Sequence, residues 1–200
     1  MKEKGFFVCV EGLDGCGKTT QTKLLVRKLR KTGWDAVYTA EPSHGKIGRF
    51  IQKYCLHSEK RTSPIVEALL FAADRFEHVT KEVIPALNEG KIVVSDRYFY
   101  SSLAYQGATE LDLKWIETIN KHAIQPDLAI FVDVEPEAVI KRLKPKKSVM
   151  ENLETQRKVR EVYVRFVEKR ELVRIDGNNS KKEVAGDILK VVLNFLEKRG

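Results

Sequence analysis

One short string constrains this chain more than any other feature of its sequence: Gly12-Leu13-Asp14-Gly15-Cys16-Gly17-Lys18-Thr19. It matches GxxxxGK followed by Ser or Thr, a pattern whose glycines turn backbone N–H groups toward phosphate oxygens while the lysine adds a positive charge. The string follows the apolar residues 6–10 and precedes an amphipathic segment, so it joins a strand to a helix whose N-terminal dipole favours phosphate. The sequence therefore predicts a bound nucleoside triphosphate, with the Thr19 hydroxyl offered to Mg²⁺.

Short apolar runs alternate with longer amphipathic segments along the chain. The predicted strands are residues 6–10, 36–39, 92–95, 128–134 and 172–175. The predicted helices are residues 18–31, 64–88, 113–122, 136–143, 153–169 and 182–198. Ser63-Pro64 is typical of a helix start, and Ser180 with Glu183 forms a capping-box pattern. Because strands alternate with helices, we predict an α/β fold of the three-layer P-loop NTPase type, a five-stranded parallel sheet with helices on both faces.

The composition fits a single domain covering residues 1–200. Of the 200 residues, 42% are hydrophobic and 32% are charged, and the uncharged apolar runs are shorter than the ~18 residues that a membrane span needs. The N-terminal segment is too short for a signal peptide. Cys9, Cys16 and Cys55 lack a metal-ligand spacing and are expected to be reduced. We therefore expect a cytoplasmic protein with no membrane partner.

The net charge of +8 raises the question of a nucleic-acid partner. Basic residues are interleaved with glutamates, as in residues 158–174, and mixed signs are typical of a solvated helix face. A positive potential also suits a small polyanion such as a nucleotide. We expect small-molecule substrates and no nucleic acid.

Ligands of parallel sheets bind at the carboxyl ends of the strands. Asp96 and Arg97 follow the predicted strand at residues 92–95. The carboxylate could hold Mg²⁺ through water and the guanidinium could bind phosphate oxygens, whereas the alternative is a surface ion pair. Phe71 and Arg75 share one helix face. They could hold a base by stacking and hydrogen bonding, or be a core aromatic beside a cation that reaches solvent.

Several strings occur in a fixed order around these residues. The first group is residues 11–20, which add Glu11 and Thr20 to the loop, then Thr39-Ala40-Glu41-Pro42, Phe71-Ala72-Ala73-Asp74-Arg75, Asp96-Arg97-Tyr98 and Ala104-Tyr105-Gln106-Gly107. The second group is Gln125-Pro126-Asp127-Leu128, residues 131–137 and Ile175-Asp176-Gly177-Asn178. In order and spacing, these strings resemble the thymidylate kinase family over nearly the whole chain.

For the acceptor nucleotide, the resemblance implies five roles. Phe71 would stack on the thymine ring, and Arg75 would hydrogen-bond its carbonyl edge. Tyr105 would pack under the deoxyribose and disfavour a ribose 2′-hydroxyl, with Gln106 nearby in the base pocket. Asp14 would lie near the sugar 3′-hydroxyl and help to place the acceptor.

For the phosphates and the donor, the resemblance implies further contacts. Arg97 would hold the acceptor monophosphate, and Glu41-Pro42 would shape the floor beneath it. Asp96, with Thr19, would orient Mg²⁺ and its waters. Arg142 would lie along the adenine beside the turn at residues 176–178, while Thr20 and the loop would bind the ATP phosphates.

Two positions depart from the family pattern. Ala40 stands where family members often carry an arginine before Glu41-Pro42, so one expected phosphate contact is missing or supplied elsewhere. Gly15 stands where some members carry a catalytic basic residue, so that charge is expected from a short lid at about residues 144–160. Our preferred lid residues are Arg157, Lys158 and Arg160, rather than Lys146 and Lys147, although a solvated basic helix face is the alternative.

The implied reaction is transfer of the γ-phosphoryl group of ATP to dTMP, with Mg²⁺, which gives dTDP for dTTP biosynthesis in a homodimeric enzyme. The acceptor phosphate is already ionised, so no strong general base is needed, and we interpret His44, His57, His78 and His122 as surface or packing residues. The alternatives are a kinase for another nucleoside monophosphate or a deoxynucleoside, a GTPase-type switch, and a nucleic-acid-dependent ATPase. The switch is disfavoured because Asn120-Lys121-His122-Ala123 lacks the aspartate of a guanine-reading element.

Overall fold

A five-stranded sheet forms the centre of the protein in a computed structural model that describes residues 5–56, 62–109, 111–142 and 152–198. The strands are β1 (Phe6–Glu11), β2 (Ala36–Ala40), β3 (Ile92–Asp96), β4 (Leu128–Asp133) and β5 (Val173–Asp176). All neighbouring pairs are parallel, in the order β2-β3-β1-β4-β5. The predicted α/β fold class is therefore confirmed.

Helices surround the sheet and bury its central strands, in which every residue of β1, β3 and β4 is buried. The helices are α1 (Lys18–Lys31), α2 (Lys46–Ile51), α3 (Pro64–His78), α4 (Ile84–Asn88), α5 (Phe99–Gly107), α6 (Leu113–Asn120), α7 (Pro136–Arg142), α8 (Leu153–Glu168) and α9 (Lys181–Glu197). One group packs α1 against α9, and another packs α5 against α3, α6 and α8. Burial on both sides explains why the central strands are continuously apolar.

The helix predicted at residues 64–88 is interrupted. Between α3 and α4 the chain makes a π-helical turn at Val79–Val83. Pro85 lies at the start of α4, and proline cannot donate the backbone hydrogen bond that an uninterrupted α-helix requires. The chain accommodates the proline with a wider π-helical turn, and this explains why the single predicted helix is observed as two helices.

Two helices, α2 and α5, do not appear in the sequence prediction. The six residues of α2 are too few to show a helical period. Most of α5 is buried, including Tyr100 and residues 102–106, so polar and apolar side chains do not segregate into an amphipathic stripe. Contacts with the rest of the fold, rather than a local sequence pattern, stabilise both helices. Two of the predicted site residues, Tyr105 and Gln106, lie on α5.

The predicted helix starts are confirmed at both capping sequences. Ser63 accepts a hydrogen bond from the N–H of Val66 at the start of α3. Ser180 and Glu183 make both bonds of a capping box at the start of α9. None of the helices in the described ranges is long and apolar enough to cross a membrane.

Candidate active site

The loop between β1 and α1 has the backbone conformation that its glycines allow. Gly15 and Gly17 have φ angles of 81° and 99°, in the left-handed region where a side chain would be strained. Gly17 is also the N-cap of α1, and no side chain of the described residues caps the start of this helix. The first N–H groups of α1 therefore keep their capacity to bind an anion such as phosphate.

The side chain of Lys18 lies within this loop and is only 5% exposed. Its Nζ donates a hydrogen bond to the carbonyl oxygen of Leu13 at 2.6 Å and lies 3.9 Å from Sγ of Cys16. Cys16, Cys9 and Cys55 are all buried. The loop thus holds its ammonium group next to its own backbone, where an incoming phosphate can replace the carbonyl oxygen.

Thr19 and Asp96 are the predicted metal ligands, and the structure brings them together. The Thr19 hydroxyl donates to Oδ2 of Asp96 at 2.5 Å. Among the residues described, the buried Oδ1 of Asp96 has no hydrogen-bond partner. A hydroxyl beside an unsatisfied carboxylate oxygen is the oxygen donor set that Mg²⁺ prefers, with water completing its shell. These residues therefore fit a magnesium ion.

Asp14 and Arg97 form an ion pair across the mouth of the loop, although they are 83 positions apart. The guanidinium carbon of Arg97 lies 5.0 Å from the ring centre of Tyr105. The backbone N–H of Asp14 donates to the Tyr105 hydroxyl at 2.9 Å. Three predicted acceptor residues therefore meet beside the triphosphate loop.

The charges in this group stabilise each other. Burial acts to raise the pKa of Asp14, but the positive charges of Arg97 and Lys18, together with hydrogen bonds from Tyr105 and Arg97, hold that pKa below its usual value. Burial acts to lower the pKa of Arg97, but the Asp14 carboxylate raises it well above its usual value. Both groups are therefore charged at neutral pH.

Arg75 is 1% exposed and lies at the centre of a buried polar cluster. Its Nε and Nη2 donate to Oε2 of Glu41 at 3.0 and 2.8 Å. Nη2 also donates to the Ser102 hydroxyl at 3.0 Å, and Nη1 donates to the side-chain oxygen of Asn120. A guanidinium has five N–H donors, so these bonds to described residues leave one donor on Nη1. That donor can serve one carbonyl oxygen of a base.

The remaining predicted acceptor residues lie on the surrounding elements. Phe71 lies on α3 and is partly exposed, and Gln106 is buried on α5. The peptide bond between Glu41 and Pro42 is cis. The carboxylate of Glu41, predicted to shape the phosphate floor, accepts hydrogen bonds from the Arg75 guanidinium.

His78 is a residue that the sequence interpretation underestimated. It is 1% exposed, its Nδ1 lies 3.2 Å from Oε1 of Glu41, and its Nε2 lies 2.5 Å from Oγ1 of Thr39. The histidine thus extends the polar cluster from Glu41 to β2. His78 follows Arg75 by three positions, which puts both residues on one face of α3, and this spacing could have linked His78 to the site. No sequence pattern could have linked Asn120 to it.

The preferred lid cations lie at the start of α8, each beside a carboxylate. Nη2 of Arg157 lies 2.5 Å from Oε1 of Glu137, and Nζ of Lys158 lies 3.1 Å from Oε1 of Glu154. Both of these pairs are solvent-exposed. Residues 144–151 of the predicted lid, including Lys146 and Lys147, lie outside the described residues, as does His57.

Arg160 is held more firmly. Its Nε and Nη2 donate to the two oxygens of Asp133 at 2.7 and 3.1 Å, and Nη2 also donates to Glu135 at 2.9 Å. Asp133 is buried at the end of β4 and also pairs with Arg174 at 2.7 Å. These contacts tie α8 to the sheet, so Arg160 is less available to a phosphate than Arg157 or Lys158.

On the predicted donor side, Arg142 is the exposed last residue of α7. Beyond β5, Asn178 donates from its backbone and side-chain nitrogens to Asp176 at 3.0 and 2.8 Å. The side-chain oxygen of Asn178 accepts a bond from the N–H of Glu135 at 3.3 Å. The predicted turn at residues 176–178 therefore joins the β5 end to the segment that leads into α7.

A parallel sheet that brings a glycine loop with its lysine, a strand-end aspartate and an arginine to one edge defines a P-loop nucleotide-binding protein. A comparison with protein families matches residues 10–188 to the family described as thymidylate kinase. The chain therefore belongs to the thymidylate kinase family.

Individual relatives support this assignment over almost the full length. A "Probable thymidylate kinase" from Pyrococcus abyssi (strain GE5 / Orsay) is 45% identical over 201 residues, which cover 96% of this chain and 98% of the relative. Another from Pyrobaculum aerophilum is 41% identical and covers 93% of this chain and 95% of its own. A "Thymidylate kinase" from Caldanaerobacter subterraneus subsp. tengcongensis is 36% identical over 97% of this chain and 98% of its own.

Proposed function

We propose that this protein transfers the γ-phosphoryl group of ATP to dTMP and releases dTDP and ADP. The observation that carries the proposal is the ion pair between Asp14 of the phosphate-binding loop and Arg97 after β3. It puts an acceptor-binding guanidinium next to the loop that holds the triphosphate. An oxygen of the dTMP phosphate forms the new bond to the γ-phosphorus, and the bond to the bridging β–γ oxygen breaks as ADP leaves.

In this proposal, Arg75 recognises the thymine base. Its remaining Nη1 donor serves a thymine carbonyl oxygen, while Glu41 and Asn120 fix the plane of the guanidinium. Phe71 lies one turn earlier on α3 and stacks on the ring, with Gln106 close to the base. Tyr105 lies under the sugar because its hydroxyl is fixed by the Asp14 N–H.

The phosphates are held by charge and by backbone N–H groups. The loop at residues 12–20 binds the triphosphate, Lys18 neutralises the β- and γ-phosphates, and Arg97 holds the acceptor phosphate. Thr19 and Asp96 would hold Mg²⁺, which supplies further positive charge to the donor phosphates. Phosphoryl transfer has a loose transition state, so positioning and charge neutralisation account for most of the rate.

Lid cations complete the charge around the transferred group, since Gly15 adds none from the loop. Arg157 and Lys158 are the stronger candidates because their partners, Glu137 and Glu154, are exposed carboxylates. Exposed ion pairs contribute about 0–1 kcal/mol, so a phosphate can displace them at little cost. Arg160 remains a candidate but is bound to the buried Asp133.

Steady-state kinetics with a panel of acceptors test this function. Purified protein is supplied with ATP, Mg²⁺ and, in turn, dTMP, dUMP, dCMP, AMP, GMP or thymidine, and ADP formation is measured. We expect the highest kcat/KM for dTMP. A higher value for another nucleoside monophosphate or for thymidine would assign the enzyme to a neighbouring kinase class.

We also propose that the enzyme is a homodimer. Large apolar side chains are exposed on α2, on the π-helical turn Gln52–Leu56 that follows it, and on α3, namely Phe50, Tyr54, Leu56, Ile65 and Leu69. Because α2 packs against α3, these exposed side chains lie on neighbouring elements, and exposed apolar side chains grouped in this way are of the kind that proteins cover by association. Sedimentation should give twice the monomer mass, and Leu69→Glu should halve it; a monomeric wild type would refute this proposal.

The chain is further proposed to act as one kinase domain in the cytoplasm, with its lid at about residues 144–160. Family membership over residues 10–188 supports the single domain. Cys9 and Cys16 are buried free thiols, which fits a reducing compartment.

A further inference from the structure

Glu11 is a buried carboxylate that the roles above leave unexplained. It is the last residue of β1 and is 0% exposed. Three donors converge on it. The backbone N–H of Tyr98 donates to Oε1 at 2.8 Å, the Ser101 hydroxyl donates to Oε2 at 2.6 Å, and the Tyr163 hydroxyl donates to Oε2 at 3.0 Å. Burying a carboxylate costs free energy unless hydrogen bonds compensate for the lost water, so we expect a buried acid with three donors to hold a particular part of the structure in place.

The backbone that Glu11 fixes is that of Arg97. Arg97 has a φ of 73°, a left-handed conformation that is unfavourable for a residue with a Cβ. Its own N–H donates to the carbonyl oxygen of Val10 at 3.0 Å, and the next N–H, that of Tyr98, donates to Glu11. The end of β1 therefore holds this turn from both sides.

The side chain of Arg97 is fixed through Ser101. Nη1 of Arg97 donates to the Ser101 hydroxyl at 2.9 Å. That hydroxyl has only one hydrogen, and the short contact of 2.6 Å to Glu11 shows where it points. Because Glu11 takes the hydrogen, an oxygen lone pair of Ser101 is left to face the guanidinium.

We propose that Glu11 is a positioning residue for Arg97, acting through the Tyr98 N–H and the Ser101 hydroxyl to aim the guanidinium at the acceptor phosphate. This inference rests on the proposed role of Arg97 in dTMP binding. Tyr163 supplies the third donor and stacks on Phe131 with ring centres 4.8 Å apart, so it seals the carboxylate from solvent.

The geometry requires a carboxylate at this position rather than an amide. Glutamine has one acceptor oxygen and one donor NH₂ group. If its oxygen faces the Tyr98 N–H, its NH₂ group meets the Ser101 and Tyr163 hydroxyls and turns the Ser101 hydrogen toward Arg97. If the amide is flipped, its NH₂ group meets the Tyr98 N–H. Either orientation disturbs one of the two connections to Arg97.

The test compares Glu11→Gln and Ser101→Ala with a matched control, Asp127→Asn. Asp127 also accepts a bond from a β1 backbone N–H, that of Phe7 at 2.8 Å, but at the other end of the strand. Affinities for dTMP and for ATP are measured separately by calorimetry, beside the melting temperature. We expect both test variants to weaken dTMP at least about tenfold, or 1.4 kcal/mol, with ATP affinity changed less than about threefold and the control unchanged for both ligands.

The readouts separate this inference from the proposed function. Wild-type protein that fails to bind dTMP would overturn the proposed function itself. Wild-type protein that binds dTMP, with test variants that lose affinity for ATP and dTMP equally or for neither, would overturn the positioning role alone. If Glu11→Gln does not fold, Ser101→Ala decides the question, because it removes the link to Arg97 without changing a buried charge.

Discussion

The Thr19 hydroxyl donates a 2.5 Å hydrogen bond to Oδ2 of Asp96, a residue 77 positions away. The bond joins the first turn of α1 to the end of β3, which is hydrogen-bonded to the central strand β1. It leaves Oδ1 of Asp96 buried and without a hydrogen-bond partner in the described part of the chain. A folded protein keeps such an atom when a ligand completes its bonding, and here the ligand that fits is a hydrated Mg²⁺.

Asp96→Asn is therefore expected to change the metal requirement. The amide keeps the shape of the side chain but loses the negative charge that would face a bound metal, so the Mg²⁺ concentration that gives half-maximal rate should rise about tenfold or more. The measurement is initial rate against Mg²⁺ at saturating ATP and dTMP, with Asp127→Asn as the control. An unchanged Mg²⁺ dependence would remove Asp96 from the metal site.

Lys18→Ala should remove most of the phosphoryl transfer while leaving dTMP bound. The ammonium group now bound to the Leu13 carbonyl is the only basic side chain of the loop at residues 12–19. Loss of a charge that stabilises the transition state lowers kcat about 10²–10³-fold. Single-turnover kinetics and dTMP calorimetry check this, and a kcat within about fivefold of wild type would contradict the role.

Arg75→Ala should weaken dTMP much more than ATP. It should also lower the melting temperature, because the buried Glu41 carboxylate loses its ion pair, a change that costs about 3–5 kcal/mol. Arg27→Ala, on the exposed face of α1, is the matched control. Equal weakening of both nucleotides would rule out base recognition by Arg75.

Arg157→Ala and Arg160→Ala should have different effects. Among the described residues Arg157 pairs with the exposed Glu137 alone, so Arg157→Ala should lower kcat more than about tenfold, which is 1.4 kcal/mol of barrier, without changing the melting temperature. Arg160→Ala should lower stability, because the buried Asp133 loses one of the two arginines that pair with it in the described part of the chain.

Lys158→Ala and Glu137→Gln complete this series. Glu137→Gln releases Arg157 and should leave kcat at or above the wild-type value. If neither Arg157→Ala nor Lys158→Ala reduces kcat tenfold, the catalytic charge comes from Arg160 or from the part of the lid outside the described residues.

Glu11 gives the stability of the protein a specific pH dependence. Burial raises the pKa of Glu11, despite the opposing hydrogen bond from Ser101. The folded state therefore binds this proton more tightly than the unfolded state, and its contribution to stability is present at low pH and lost as pH rises through the raised pKa.

Glu11→Gln cannot bind this proton, so it isolates the effect. Between pH 7.5 and pH 5, the unfolding free energy of the wild type should rise relative to that of Glu11→Gln. Urea melts of both proteins at each pH measure the difference. A difference that is constant, or that moves in favour of the variant at pH 5, would contradict the raised pKa.

Local patterns were enough to predict the loop and the five-stranded parallel sheet. The string at residues 12–19 carries its own backbone requirements, and β4 is apolar because it is buried on both faces. The break before Pro85 and the helix α5 were not predictable in this way. In α5, Tyr105 and Gln106 are buried and the helix packs against α3, α6 and α8, which no local period reveals.

The candidate site also combines residues that the sequence predicts with residues that only the fold reveals. The resemblance named Arg75 and Arg97, but the groups that hold them come from distant parts of the chain. Asn120 contacts Arg75 across 45 positions, and Tyr163 reaches Glu11 across 152. His78 was within reach of a sequence argument, since it shares a helix face with Arg75, yet its burial depends on Glu41 and Thr39. Residues that are brought together only by the folded sheet have no characteristic spacing in the sequence, so the sequence does not predict that they interact.

The destination of the γ-phosphate tests the central claim most directly. Purified protein is incubated with Mg²⁺, ATP labelled in the γ-phosphate, and equal amounts of dTMP and thymidine, and the labelled products are separated. The account predicts that the label appears in dTDP, with little in dTMP or inorganic phosphate. Label that accumulates in dTMP from thymidine, or in inorganic phosphate regardless of the acceptor, would contradict it.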